Sequence, residues 1–154
     1  MDSLKTKSVN SKILAYTYFP KTKEELVEII KSEVEKNGWN CDLNHIDTSR
    51  ITDMSWLFSK DYYNGYKLGE FNGDISRWDV SNVKDMESMF SYAKSFNQPI
   101  GDWDVSNVTN MRCMFCDAKS FNQDVSKWEL TSGCEIGYMF DECPIKEEYK
   151  LKGK

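Results

Sequence analysis

Hydrophobic and polar positions along residues 71–145 recur with a period of 25. Phenylalanine falls at 71, 96 and 121, and tryptophan at 78, 103 and 128. Between them run apolar columns: Ile75/Ile100/Val125, Met86/Met111/Ile136, Met89/Met114/Met139 and Phe90/Phe115/Phe140, with Ala93/Ala118/Cys143 as a small-residue column. A weaker copy begins at Trp39 and places Leu43, Ile46, Met54, Leu57 and Phe58 in the same columns. Its residues 59–70 carry a seven-residue insertion relative to the other copies. Self-similarity at this period marks a repeat architecture. It divides the chain into an N-terminal segment with a capping helix (1–38), four repeats (39–70, 71–95, 96–120 and 121–145) and a charged tail (146–154).

Within one unit Val83, Met86, Met89, Phe90 and Ala93 stand at helical spacing. Ser81 or Asn82 occupies the N-cap position, so the pattern predicts a short helix over about residues 82–92. The preceding FNGDIS predicts a short strand that stacks in parallel on its neighbours. The expected fold is therefore an α/β repeat solenoid with one short strand and one short helix per coil. A unit of this size cannot bury its apolar face alone, so stacked copies must bury it together and the ends must be capped. The segment PKTKEELVEIIKSEVEKNG reads as the first cap, a helix with a Thr22–Glu25 capping box and Leu26, Ile29, Ile30 and Val34 on its inner face. The predicted core holds Trp78, Trp103, Trp128, Phe90, Phe115 and Phe140, with the tryptophans one per coil about 5 Å apart. Asn40, Asn72, Asn97 and Asn122 form a column whose side chains can satisfy the backbone of the adjacent coil. The tail KEEYKLKGK is expected to fray.

The strings FNQDVSKW, DVSNVTNM and MF-x-x-A-K-S-F resemble the BspA-like bacterial leucine-rich repeat family in its 25-residue form, over residues 39–145. KTKEELVEII followed by IDTSRITDMSWLF is similar to the entry segment of such proteins. The resemblance implies a leucine-rich-repeat-like solenoid, and a place among surface proteins implicated in adhesion or host contact. The chain has four units where such proteins often have many.

Composition narrows the function. The net charge is −5, from 25 acidic and 20 basic residues. That leaves no basic face for nucleic acid and no polybasic segment for an anionic membrane. No apolar run approaches the roughly 18 residues of a membrane helix, so no membrane insertion is expected. The first residues lack a signal-peptide cleavage pattern, which points to the cytoplasm, or to the cell surface if a leader has been removed.

Five cysteines, an odd number, argue for free thiols over a disulfide framework. Cys113 and Cys116 form C-x-x-C, with Cys134 and Cys143 downstream, but the spacing fits no common zinc finger or ribbon. A redox role would need the motif at a helix start in a βαβ unit. His45, the single histidine, shares a column with Arg77, Asp102 and Lys127, a mixture expected to face solvent. The acidic column Asp47/Asp79/Asp104/Glu129 is expected to cap turns. No phosphate loop and no nucleophile elbow occur. No enzymatic activity, cofactor or metal is therefore expected.

The reading that remains is a monomeric protein-interaction module presenting a solenoid face to a protein partner. The variable columns are Gly73/Gln98/Gln123, Ser76/Gly101/Ser126 and Arg77/Asp102/Lys127. Tyr62, Tyr63 and Tyr66 in the insertion offer contact area at low entropy cost. The candidate face thus comprises Tyr62, Tyr63, Tyr66, Arg77, Gln98, Asp102, Gln123 and Lys127. An adhesin-type or structural repeat protein recognising host protein or glycan is the alternative, and a cysteine-based zinc or redox protein the third.

Overall fold

The computed structural model describes residues 6–9, 12–60 and 65–153. Strand β1 (Thr6–Val9) pairs antiparallel with β2 (Lys12–Ala15), from Thr6↔Ala15 to Val9↔Lys12. Helix α1 (Lys23–Asn37) follows, and the only later helical element among the described residues is a 3-10 turn, Glu147–Tyr149. The described residues of the repeats form no strand and no α-helix. This overturns the expected α/β solenoid with one strand and one helix per coil, and with it the leucine-rich-repeat-like architecture.

The hydrogen bonding explains the difference. In the second copy the amides of Met86, Ser88, Phe90 and Tyr92 donate to the carbonyls of Asn110, Arg112, Met114 and Cys116 in the next copy, at 2.8–2.9 Å. The intervening amides of Met89, Ser91 and Ala93 donate three residues back, to Met86, Ser88 and Phe90. An α-helix would spend every amide on the fourth residue back and leave none for the neighbouring copy. Overlapping tight turns spend half inside and half outside.

The turns require left-handed backbone at non-glycine residues: Ser88 (φ 53°) and Tyr92 (φ 58°), with Cys113, Asp117, Tyr138 and Glu142 at equivalent sites. Each such residue costs roughly 1–2 kcal/mol in a left-handed conformation, a cost the repeated inter-copy bonds and core burial offset. The apolar spacing of Met86, Met89, Phe90 and Ala93 suits these turns as well as a helix, so periodicity could not distinguish them. Parallel bridges at Asp53↔Asp85, Asp85↔Asn110 and Asn110↔Glu135 mark the ladder, each too isolated to form a strand.

FNGDIS is likewise not a strand: two backbone bonds, Asn72 N–H to Trp39 O and Leu43 N–H to Asp74 O, join it to the first copy, and side chains pair the later copies. Asn97 N–H donates to Asn72 Oδ1 (2.9 Å), Asn122 N–H to Asn97 Oδ1 (2.9 Å) and Lys146 N–H to Asn122 Oδ1 (3.0 Å). A second amide series, at the residues read as N-caps, runs from Asn82 Nδ2 to Ser49 O and from Asn107 Nδ2 to Ser81 O, both 2.7 Å.

Aromatic columns fill the interior. Phe58, Phe71, Phe90, Phe96, Phe115 and Phe121 are fully buried. Equivalent rings stack at 5.5–5.7 Å from Phe58 through Phe90 and Phe115 to Phe140, and Phe96 and Phe121 wedge between them at 4.0 Å from Phe90 and Phe115. Trp103 and Trp128 lie with ring centroids 6.4 Å apart and planes within 3°, an offset stack wider than the expected strand spacing. Each indole donates to the previous copy: Trp78 to Leu43 O, Trp103 to Ile75 O and Trp128 to Ile100 O. Phe140 is only partly buried because its copy is the last.

The ends differ. At the first, Thr22 caps α1 by accepting from the Glu25 amide, and Gly38 closes it at φ 87°. Leu26, Val27, Ile30 and Val34 are buried, whereas Ile29 is only partly so. Lys23 Nζ reaches down to the first copy, to Asp53 Oδ2 (3.0 Å), Ser55 Oγ (2.9 Å) and Ser55 O (3.3 Å). Ser55 O is the counterpart of Glu87 O, Arg112 O and Gly137 O, which each accept from a preceding copy. The ammonium thus stands in for an absent coil.

At the other end residues 146–151 pack against the last copy, where a frayed tail was expected. Val125 N–H donates to Tyr149 O (2.9 Å), and Leu151 is buried. Residues 146–151 begin a partial further layer over one side of the last copy.

One glycine is fixed by packing. A Cβ on Gly73 would lie 1.9 Å from Cys41 O. Gly73→Ala is expected to destabilise by about 1–3 kcal/mol through overpacking, visible as a lower midpoint in urea unfolding.

Candidate interaction face

The variable columns converge on a shallow groove of about 370 Å³. Ser76, Gly101, Asp102, Gln123 and Lys127 line it, together with Pro99. Asp102 and Lys127 are exposed, one opposing charge on each of two successive copies. Arg77, half-buried, has its backbone amide on Asn44 Oδ1 (2.9 Å). Two of the candidate contact residues are occupied within the fold. Gln98 Nε2 donates to Asn72 O and Oδ1, and Gln123 Nε2 to Asn97 O and Oδ1, at 3.1–3.2 Å. Their column is therefore largely framework, and Gly73 stands in it because Cys41 O leaves no room.

Tyr62 and Tyr63 lie outside the described residues. Tyr66 is half-buried, with Lys23 Nζ 5.9 Å from its ring centre. The base of the insertion is closed by a Lys60–Glu70 ion pair and by Gly69, whose missing Cβ lets the Lys60 backbone pass. Sequence reading missed the exposed aromatics on the turn ladder, Tyr92 and Tyr138. Arg112 lies 5.7 Å from the Tyr138 ring centre. These residues stand in columns that mix polar and apolar types, which hid them.

The acidic positions work as turn locks. Asp79 and Asp104 each accept from the serine two residues on, Ser81 and Ser106, through amide and hydroxyl. Asp74 holds Ser76 in the same way. Burial pushes the Asp74 carboxyl up, but the Ser76 hydrogen bonds outweigh it and leave its pKa below the ordinary 3.8. The Ser106 bonds also hold Asp104 below that value. A depressed carboxylate adds stability that is present above its unfolded pKa and lost as pH falls through its folded one. Stability is thus expected to hold down to about pH 4 and to fall below it, with a smaller acid loss in Asp74→Asn, measured by denaturant midpoints from pH 7 to 2.5.

His45 does not simply face solvent. Its Nε2 lies 2.5 Å from Glu33 Oε1, a carboxylate on α1 with only 9% side-chain exposure, and its ring centre is 5.6 Å from that of Tyr18. The pair ties α1 to the first copy. Alongside it, Tyr18 bridges in parallel to Ile46.

None of the five cysteines is in a disulfide, and all are partly buried. Burial raises the thiol pKa of Cys41 and Cys143, and burial with nearby Cys113 pushes Cys116 up to about 11. Such thiols are poor nucleophiles at neutral pH. At pH 7.5 iodoacetamide is expected to leave Cys116 largely unmodified while it alkylates a free cysteine to completion, with the rate climbing towards pH 10. Peptide mapping by mass spectrometry reads the outcome. Among the described residues no cluster of three or more His, Cys, Asp or Glu is placed to hold a metal ion. No described helix is long and apolar enough to cross a membrane.

No curated protein and no solved structure matches the chain. One family does, over residues 28–151, a stretch that begins within α1 and ends at Leu151 in the last packed layer. The chain belongs to the family described as Mycoplasma protein of unknown function, DUF285.

Proposed function

We propose that the protein is a non-enzymatic, monomeric interaction module that engages a protein partner through the groove and the adjoining face. The observation that carries this reading is the division of labour among positions. Hydrogen bonds recur in register from copy to copy, while Asp102 and Lys127 change identity along one groove and remain exposed. A rigid, internally satisfied frame with variable exposed side chains lowers the ordering cost of binding. Opposed charges along a groove favour a partner of complementary charge pattern and raise its association rate.

The test exchanges the groove charges, Asp102→Lys with Lys127→Glu, and measures partner capture and unfolding midpoint separately. Capture lost at an unchanged midpoint supports the reading. Full capture by the swapped protein removes the groove from it. Tyr62, Tyr63 and Tyr66 changed together to serine test whether the insertion extends the same surface.

A further inference from the structure

In the third copy a single turn carries two thiols. Cys113 and Cys116 are its first and fourth residues, closed by the bond from Cys116 N–H to Cys113 O at 3.1 Å. The residues between them, Met114 and Phe115, are at 0% exposure, whereas both cysteines are only partly buried. The turn thus sinks its middle into the core and keeps its two sulfurs at the rim. The repeat does not demand sulfur there. The equivalent pairs are Trp56 and Ser59, Ser88 and Ser91, and Tyr138 and Asp141, and each closes the same turn with the same bond at 3.1–3.2 Å. The end residues of a four-residue turn stand less than about 7 Å apart at Cα, and a disulfide spans roughly 4.4–6.8 Å. The sulfurs are also close enough to interact. Cys113 acts on the Cys116 thiol more strongly by charge than Asp117 does, although Asp117 Oδ2 lies only 3.7 Å from the Cys116 sulfur.

We propose that Cys113 and Cys116 form a redox-active dithiol, which a low-molecular-mass disulfide oxidises to a disulfide within the turn. The Cys113 thiolate attacks one sulfur of the reagent and expels the other as a thiolate, which takes up a proton. A mixed disulfide is left on Cys113. Cys116 then gives its proton to solvent and attacks the Cys113 sulfur, expelling the second half of the reagent. In sum one reagent disulfide becomes two thiols, one protein dithiol becomes a disulfide, and two electrons pass to the reagent. The environment assigns the order of attack. Burial, with Cys113, Asp117 and Asp141 nearby, pushes Cys116 up to about 11, so little of it is thiolate for a reagent arriving from solution. Within the turn it meets the mixed disulfide as an intramolecular neighbour, at a high effective concentration. A strong oxidant owes its potential to a stabilised reduced form, as at the start of a helix. Here the thiolate is penalised instead, which favours the disulfide and makes the pair a reductant, with no helix or βαβ unit required. The groove of the proposed function contains no cysteine, so the two readings are tested separately.

The test treats the reduced, intact chain with millimolar 2-hydroxyethyl disulfide at about pH 8, then quenches with acid, alkylates the remaining thiols and maps tryptic peptides by mass spectrometry. Trypsin cuts after Arg112 and Lys119, which leaves Cys113 and Cys116 in one peptide with no other cysteine. That peptide should lose two hydrogens and carry neither alkyl group nor reagent. The ratio of bridged peptide to mixed disulfide should be at least about tenfold higher in the folded chain than in concentrated urea, because the turn holds the two thiols together. Cys113→Ser and Cys116→Ser each reproduce a serine of the second copy and should keep the parent's unfolding midpoint. Cys116→Ser should stop at a mixed disulfide on Cys113, and Cys116 in Cys113→Ser should react at least about tenfold more slowly. No bridged peptide from the folded chain overturns the proposal, as does an equal ratio in urea. Bridging of either thiol to Cys41, Cys134 or Cys143 overturns it too. Equal or faster reaction of Cys116 overturns the order of attack.

Discussion

Trp103→Ala is expected to destabilise the protein by about 3–5 kcal/mol, the usual cost of truncating a buried aromatic. Trp103 is only 4% exposed and sits in a copy with neighbours on both sides. The substitution removes the stack on Trp128 and strips Ile75 O of its indole donor at 3.1 Å. A buried carbonyl left without its donor adds its own desolvation penalty. Chemical denaturation of the two proteins measures the difference. An unfolding free energy within 1 kcal/mol of the parent would show that the column does not carry the core.

Asn97→Ala is the second large effect, with a different cause. Asn97 Oδ1 accepts from both the Asn122 amide (2.9 Å) and Gln123 Nε2 (3.1 Å). Truncation removes little apolar volume but strands a backbone N–H between two copies. Each unmade bond at a buried site costs about 1–3 kcal/mol, so a loss of about 2–4 kcal/mol is expected. Asn97→Asp separates the causes, since its carboxylate can still accept both bonds. Near-parent stability for Asn97→Asp at pH 7 beside a strongly destabilised Asn97→Ala would assign the loss to the acceptor. Equal losses would assign it to the side-chain amide or to packing.

How far the sequence revealed this depended on which atoms carried the order. Columns of Phe, Trp and Met are side-chain information, and Phe90, Phe115, Trp78, Trp103 and Trp128 are buried where the 25-residue period places them. Backbone pairing is not written in side chains at all. Met86, Met89, Phe90 and Ala93 have the same spacing whether their amides bond four residues back or reach the next copy. The left-handed backbone at Ser88, Tyr92, Cys113 and Asp117 carries no glycine or asparagine to announce it. α1 was legible because its signals are local, namely a capping threonine, an amphipathic face and a closing Gly38. Of the candidate face, the exposed charges at Asp102 and Lys127 could be read from a column that mixes signs. The commitment of Gln98 and Gln123 to the asparagine ladder could not, since it depends on a neighbour 26 residues away.

Along the turn ladder, four amides of each of the first three copies donate to the following copy, against a single carbonyl, that of Thr52, Lys84 or Thr109, that accepts in return, and the imbalance has an electrical consequence. Peptide dipoles in a helix add head to tail and leave partial charges at its ends. Here the same addition runs across the copies, perpendicular to the chain within each. The first copy presents carbonyls and so carries the partial negative end, where Lys23 rests on Ser55 O. The last presents amides and carries the partial positive end, where Glu135, Asp141 and Glu142 gather. Both ends therefore bear side chains of the compensating sign. The turn ladder is thus polarised along the stacking axis, and inserting further copies in the middle would lengthen that dipole while leaving its terminal charges as they are.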